Sequence, residues 1–256
     1  MRNAANNLSA RNLFDIALGV AASATAATSA SAQTPNWTGF YIGAHGGYRW
    51  ADAQVTSGTY TFTGAGDTHP GIPGENGAFD LKSFIGGPHV GFNWQFAPNF
   101  LVGVESDLDF GSAKKSIAST FLGTDTDGDG FIFNSNSTIK LGWQGTIRGR
   151  LGYVANNWLF YGTGGVAFTK VKWQSSWSLV GDDFLGANTV SAEKSLTGWV
   201  VGGGVETMMT PNILVRAEYL AEGFKDFTVP SGIGQVSTID LDVIHKFRVG
   251  ISFKTP

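Results

Sequence analysis

The chain contains no cysteine. That removes a disulfide framework, a thiol nucleophile and a thiolate metal centre from consideration. Charged residues are scarce, at 14%, against roughly 25% in an ordinary soluble domain. The net charge of −3 offers no basic field for nucleic acid. Past the N-terminal segment there is no run of about 18 apolar residues, so no transmembrane helix is expected. G-x-S-x-G, H-E-x-x-H and P-loop patterns are absent, and GTGG and GGG fall inside strand-like segments, so they are not phosphate loops. No enzymatic activity is expected.

What is abundant is glycine, at 36 residues, and aromatics, at 13%; average glycine usage is about 7%, half the value here. The N-terminus reads as a leader. Arg2 and Arg11 precede an apolar stretch leading to Ala30-Ser31-Ala32, an A-x-A cleavage pattern. Residues 1–32 are therefore expected to be a signal peptide, and residues 33–256 one β-barrel domain.

From Trp37 onward the hydrophobic period is two. Phe40, Ile42, Ala44, Tyr48 and Trp50 share a face opposite His45 and Arg49. Phe84, Val90, Phe92, Trp94 and Phe96 oppose His89, Asn93 and Gln95. Phe100, Val102, Val104, Leu108 and Phe110 oppose Glu105, Asp107 and Asp109. Ile139, Leu141, Trp143, Ile147, Leu151 and Tyr153 are read on one face, against Lys140, Gln144, Arg148 and Arg150. Further alternating segments surround Lys170 and Lys172, Trp199 to Glu206, and Val215 to Tyr219 with Arg216 and Glu218. The last sets Ile239, Leu241, Val243, Phe247, Val249, Ile251 and Phe253 against Asp240, Asp242, Lys246, Arg248 and Ser252. That gives eight strands of roughly 10 to 15 residues, against a mode of about 5 to 6.

Tight turns at 97–99, 156–157 and 210–212 alternate with long polar loops near 54–79, 111–138, 174–194 and 228–238. Short turns at one end and long loops at the other describe an all-β, eight-stranded antiparallel up-and-down barrel of the outer-membrane type. A soluble lipocalin-like carrier is the alternative, with the apolar face inside. Three features favour lipid outside. Aromatics gather near strand ends, at Trp37, Trp50, Phe96, Phe100, Phe110, Tyr153, Trp158, Trp173 and Phe253, as in interfacial girdles. The strands are long enough to cross at a tilt. The polar faces carry both signs: Glu105, Asp107, Glu206 and Glu218 with Arg148, Arg150, Arg216, Lys246 and Arg248. A narrow lumen needs such pairing, whereas a solvated face does not. Glycines on the polar faces, including Gly43, Gly47, Gly87, Gly91, Gly142 and Gly152, fit either clearance for large lumen side chains or bulges.

WTGFYIGAHGGY, IGGPHVGFNWQF, GTIRGRLGY, YGTGGVAF and the terminal RVGISF resemble the alphaproteobacterial outer-membrane immunogenic protein family. These are small surface antigens related to OmpA-like eight-stranded barrels. The resemblance spans roughly Trp37 to Phe253 and is weak in the loops. It implies an outer-membrane location, a role in envelope integrity and contact with host or other surface ligands. It also implies outer-membrane lipid, lipopolysaccharide and the assembly machinery as partners, with a narrow porin or haem-binding role as the alternative function. Two positions depart from the family. Lys254-Thr255-Pro256 follows Phe253 where an aromatic terminus is usual, and Pro88-His89 replaces an expected Gly and Gln.

DTDGDGFIFNSN places Asp125, Asp127 and Asp129 at positions 1, 3 and 5 of an EF-hand-like loop, with the Phe131 carbonyl at position 7. Asn136 stands where the bidentate Glu belongs. A candidate calcium loop of this kind has a Kd no better than about 10⁻⁴ to 10⁻³ M. No other cofactor is expected. A regular hairpin closing on Gln54 and Asp80 sets His45 and His89 opposite each other, where they can hold a metal or hydrogen-bond within a lumen. His245 is the one candidate for rim chemistry.

Overall fold

The computed structural model describes residues 35–64, 67–74, 76–181, 185–231 and 236–255. The expected signal peptide, 1–32, lies outside them. Among the described residues the chain is strand and turn without helix. In order, the strands are β1 (Gly39–Thr56), β2 (Tyr60–Gly64), β3 (Asp67–Ile72), β4 (Gly77–Ala97), β5 (Phe100–Asp109) and β6 (Ala113–Thr124). Then follow β7 (Gly130–Ala155), β8 (Trp158–Val180), β9 (Leu185–Thr210), β10 (Ile213–Phe224), β11 (Phe227–Pro230), β12 (Val236–Leu241) and β13 (Ile244–Lys254).

Eight of these close a ring: β1, β4, β5, β7, β8, β9, β10 and β13, each antiparallel to its neighbours, with β13 returning to β1. Closure leaves no edge strand to turn a row of unpaired backbone groups into lipid. Stepping across paired residues from Phe100 leads through Tyr153, Phe160, Val205, Ala217, Val249, Gly46 and Gly86 to Phe110. One circuit thus returns to the starting segment ten residues further along. This stagger is what tilts barrel strands by about 35–45°.

Three two-residue turns close one end, between the pairs Ala97–Phe100, Ala155–Trp158 and Thr210–Ile213. Asn156 has φ 53°, a left-handed conformation that Asn tolerates and that the two-residue turn between Ala155 and Trp158 uses. Pro88 sits where the ladder between β4 and β5 breaks. The pairing runs from His89 to Ala97 and resumes as a single bridge, Gly86 to Phe110. A residue without an N–H is accommodated in that gap.

At the other end the structure departs from the loop expectation. Most of the four long segments are strand. β6 pairs with the outer half of β7 over Ala113–Leu141 to Thr124–Gly130, and β7, β8 and β9 continue together to Ile132, Val180 and Leu185. β12 pairs with the end of β1, and β2 with β3. Their alternation is muted because Ser, Thr and Asn recur along them, at Ser116, Ser119, Thr120, Asn134, Asn136, Ser176 and Ser178, which reads as loop in sequence.

Side-chain polarity inverts along the strands. In the ring's lower part Phe84, Val104, Ile147, Leu151, Val201 and Val249 face outward and are exposed. Above it, Asp52, Gln54, Lys172 and Gln174 face outward. There Val55, Phe79, Ile139, Leu141, Val171, Trp173 and Ile239 point inward and form a core. Two aromatic rings bound the apolar belt. Trp94, Phe96, Phe100, Tyr153 and Trp158 lie near the turns, and Phe84, Phe110, Trp143, Phe168 and Trp199 lie opposite. Trp37 and Trp173 were expected in these girdles. Both are buried inside, at 0% and 2% exposure. Ile139 and Leu141 also face inward rather than with Trp143, and Ile239 and Leu241 face inward rather than with Phe247. A register shift between Leu141 and Gln144 reverses the phase of β7 there.

Candidate functional site

The ring encloses three stacked layers. Nearest the turns, Trp37, Tyr41, Leu101, Val154, Leu159, Tyr161, Met208 and Leu214 form an apolar cluster. Above it lies a band of charge, and above that the inward apolar core described for the strand extensions.

In the charged band six acids (Glu105, Asp107, Asp109, Glu206, Glu218, Glu222) face six bases (Arg49, Arg148, Arg150, Arg216, Lys246, Arg248), all buried. Period two explains this placement, since successive inward positions of one strand supply Glu105, Asp107 and Asp109, and of another Arg148 and Arg150. Arg148 reaches Asp107 at 2.8 Å and Glu218 at 2.7 Å, and also pairs with Glu105. Arg248 bridges Asp107 at 2.8 Å and Glu218 at 2.6 Å. Arg150 pairs with Glu206 at 2.7 Å and stacks 4.0 Å above the Tyr161 ring. Arg216 pairs with Glu105. Lys246 joins Asp109 at 2.7 Å to Glu222 at 2.6 Å. Arg49 donates to the Leu141 and Gly142 carbonyls and to Gln144, each at 2.9 Å. The phase break in β7 thus presents carbonyls to a lumen guanidinium.

The nine charged residues named from sequence all lie in this band. Arg49, Asp109 and Glu222 complete it, and Tyr41 links Arg150 to Glu105 through its hydroxyl, at 2.6 and 2.7 Å. Their signal was phase: each sits an even number of residues from a named lumen position on its strand. Inward glycines make room for the large side chains. A Cβ on Gly43 would lie 2.5 Å from His89 Nε2, and one on Gly91 2.3 Å from the Tyr41 hydroxyl. Gly142 instead lies within the β7 register shift, so both sequence readings of glycine occur.

The eight-strand ring with an apolar outer belt and a charge-paired interior is matched by the family model described as outer membrane protein beta-barrel domain, over residues 18–254. The chain belongs to that family. The 31 kDa outer-membrane immunogenic protein of Brucella melitensis is 31% identical over 241 residues, covering 90% of this chain and 88% of its own. The 22 kDa outer membrane protein of Rhizobium leguminosarum bv. viciae is 33% identical over 199 residues, covering 77% and 70%. Among solved structures, the outer membrane protein OprG from Pseudomonas aeruginosa aligns with TM-score 0.41 and 14% identity, over 87% of this chain and 99% of its own. The protein is an outer-membrane β-barrel surface protein.

Within this outer-membrane barrel the remaining sequence candidates fall apart spatially. His45 and His89 both line the lumen but are diagonal, because His89 pairs with Gly43 and His45 with Gly87. The register is two residues from the one expected, since the length of the β2–β3 hairpin between them cannot be read from turn chemistry. Their Nδ1 atoms are 3.3 Å apart; His45 Nε2 lies 2.7 Å from Asp109, and His89 Nε2 lies 2.7 Å from the Ser252 hydroxyl. His45, Asp107 and Asp109 converge closely enough to suggest a metal. Arg248 and Lys246 already occupy those carboxylates, and two cations beside the site oppose a third.

Asp125, Asp127 and Asp129 form the exposed tip between β6 and β7. The Asp125 carboxylate accepts from the Asp127 and Asp129 amides at 3.1 and 2.8 Å, an Asx-type turn. Phe131 is buried against Phe133, Trp177 and Leu179 in a small outer core. His245 faces outward beside Trp50 and Tyr219, with the Tyr219 hydroxyl 2.6 Å from Nδ1. These aromatic contacts supply no carboxylate to orient it as a base.

Proposed function

We propose that the protein is a non-conducting, non-catalytic envelope protein that holds a stiff β-structured head outside the outer membrane for contact with surface partners. The polarity inversion along the strands carries this reading. Below the inversion, lipid faces the apolar side; above it, water faces the polar side and an apolar core takes the place of a channel mouth. β8 runs roughly a dozen residues past Phe168, about 40 Å along the strand at 3.3 Å each. Leu122, Ile132 and Val180 form a paired, exposed apolar row near its end, where a partner meets the head.

An interior of paired charges between two apolar clusters favours a filled barrel over a porin. Eight strands leave an interior just wide enough for side chains. The test is planar-bilayer recording of refolded protein whose unboiled form migrates faster than its boiled form on a gel. Absence of large, stable conductance is the expected result. Steady openings of porin size would overturn the reading.

A further inference from the structure

We propose that the outward face where β6, β7 and β8 leave the lipid belt binds the phosphorylated glycolipid of the outer leaflet. Lys114 is paired directly opposite Lys140, and Lys140 directly opposite Lys172. Glu193 comes next in the row, opposite Lys172. Lys170, two residues below Lys172, reaches the same carboxylate: the two ammonium groups lie 3.1 and 3.0 Å from Glu193 Oε1. Four cations thus share one acid.

Like charges directly opposite on a sheet are destabilising. Nothing inside the barrel relieves them, because the residues flanking these lysines, Ala113, Ile139, Leu141, Val171 and Trp173, are apolar and point inward. Lys114 and Lys140 have no carboxylate partner among the described residues. Hydrogen bonds from Lys172 and Lys170 hold Glu193 below the usual carboxylate range, so it stays ionised and committed to that pair. The row lacks an anion from outside.

The surroundings select which anion. A cleft of about 450 Å³ lies over the row, its walls adding Thr138 and Gln174. An adjoining cleft of about 240 Å³ is lined by Lys140, Lys170 and Lys172 on one side and by Phe110 and Trp143 on the other. Phe110 and Trp143 belong to the outer aromatic girdle, at the depth where headgroups begin. A sugar phosphate suits the lysines, its hydroxyls suit Thr138 and Gln174, and its acyl chain continues down the aromatic wall. A free phosphate uses only the upper half of this surface.

The experiment compares the refolded full-length mature protein with Lys114→Gln/Lys140→Gln/Lys172→Gln in detergent, by calorimetric titration. The probes are bisphosphorylated lipid A, the same lipid after dephosphorylation, and inorganic phosphate. Retention of heat-dependent gel mobility establishes that the variant folds; if it is lost, Lys140→Gln alone is used. Charge-assisted contacts to phosphate make the expected loss about tenfold or more, both on removing the lysines and on removing the phosphates. Lys82→Gln/Lys225→Gln, which removes charge elsewhere, is expected to leave binding unchanged. Equal binding by parent and row variant, equal binding of dephosphorylated lipid, an equal loss in the control variant, or full competition by inorganic phosphate would each overturn the proposal.

Discussion

Replacing Arg148 with Met tests the charged band at its centre. Arg148 pairs with Glu105, Asp107 and Glu218, and both side chains of every pair are buried. The substitution leaves six buried acids facing five bases. Breaking a buried pair from one side costs about 3–5 kcal/mol. The lower end applies here, because each stranded carboxylate keeps another cation: Glu105 keeps Arg150 and Arg216, while Asp107 and Glu218 keep Arg248. A loss of about 3 kcal/mol lowers the folded-to-unfolded ratio by roughly two decades. Glu218→Gln added to Arg148→Met restores five against five. The double variant is therefore expected to lose less than the sum of the singles, by about 0.5–3 kcal/mol. Reversible urea unfolding in lipid vesicles reads both effects. With a urea slope of about 1–3 kcal/mol/M, the single variant's midpoint falls by about 1–3 M. A single-variant cost under about 1 kcal/mol, or strict additivity in the double, would refute the view that these charges act as one balanced network.

Ile147→Arg, in the apolar belt, is expected to cost about 2–4 kcal/mol in the same assay, whereas Gln54→Arg, outward but above the belt, is expected to change stability by less than about 0.5 kcal/mol; equal effects would contradict the belt's placement. The ionised form of Glu193 is favoured in the folded protein. Its stabilising contribution is present above the ordinary carboxylate pKa and lost as pH falls through the lowered value. In Lys170→Gln/Lys172→Gln a carboxyl-carbon NMR titration should show the Glu193 midpoint rising toward the ordinary range, and an unmoved midpoint would contradict the pairing. Calcium titrated against the mature protein is expected to bind at the Asp125–Asp129 tip no more tightly than about 10⁻⁴ M, because Asp125 is engaged with backbone amides and the twelfth position is Asn136. A Kd below about 10⁻⁵ M by calorimetry, abolished by Asp127→Asn, would contradict this.

Strand phase was the legible quantity. Once Phe40, Ile42 and Tyr48 are set outward, His45 and Arg49 fall inward with no further information, and the same logic sorts Glu105 from Val104. Three things escaped it. A register shift at Leu141–Gln144 reverses phase without a sequence signature beyond Gly142, so Ile139 and Leu141 were placed on the lipid side. Composition separates aromatics from the rest but not a girdle tryptophan from a buried one. Trp37 and Trp173 are therefore distinguished only by the direction their positions face. Finally, strands above the membrane have apolar residues inside. Segments such as Ser175 to Val180, with Ser176 and Ser178 outward and Trp177 and Leu179 inward, carry weak contrast and read as loop.

The polarity inversion is tested most directly by spin labels on β8, one introduced cysteine at a time in a chain that has none of its own. The protein is reconstituted in lipid vesicles, and collision rates are measured with oxygen and with a water-soluble nickel chelate. Labels at Phe160, Val166 and Phe168 are expected to favour oxygen, and labels at Lys172 and Gln174 to favour nickel. Labels at Leu159, Ala167 and Trp173 are expected to be shielded from both. Oxygen preference continuing through Lys172 and Gln174, or nickel access at Phe160 and Val166, would contradict a belt that ends at Phe168 beneath a water-facing head.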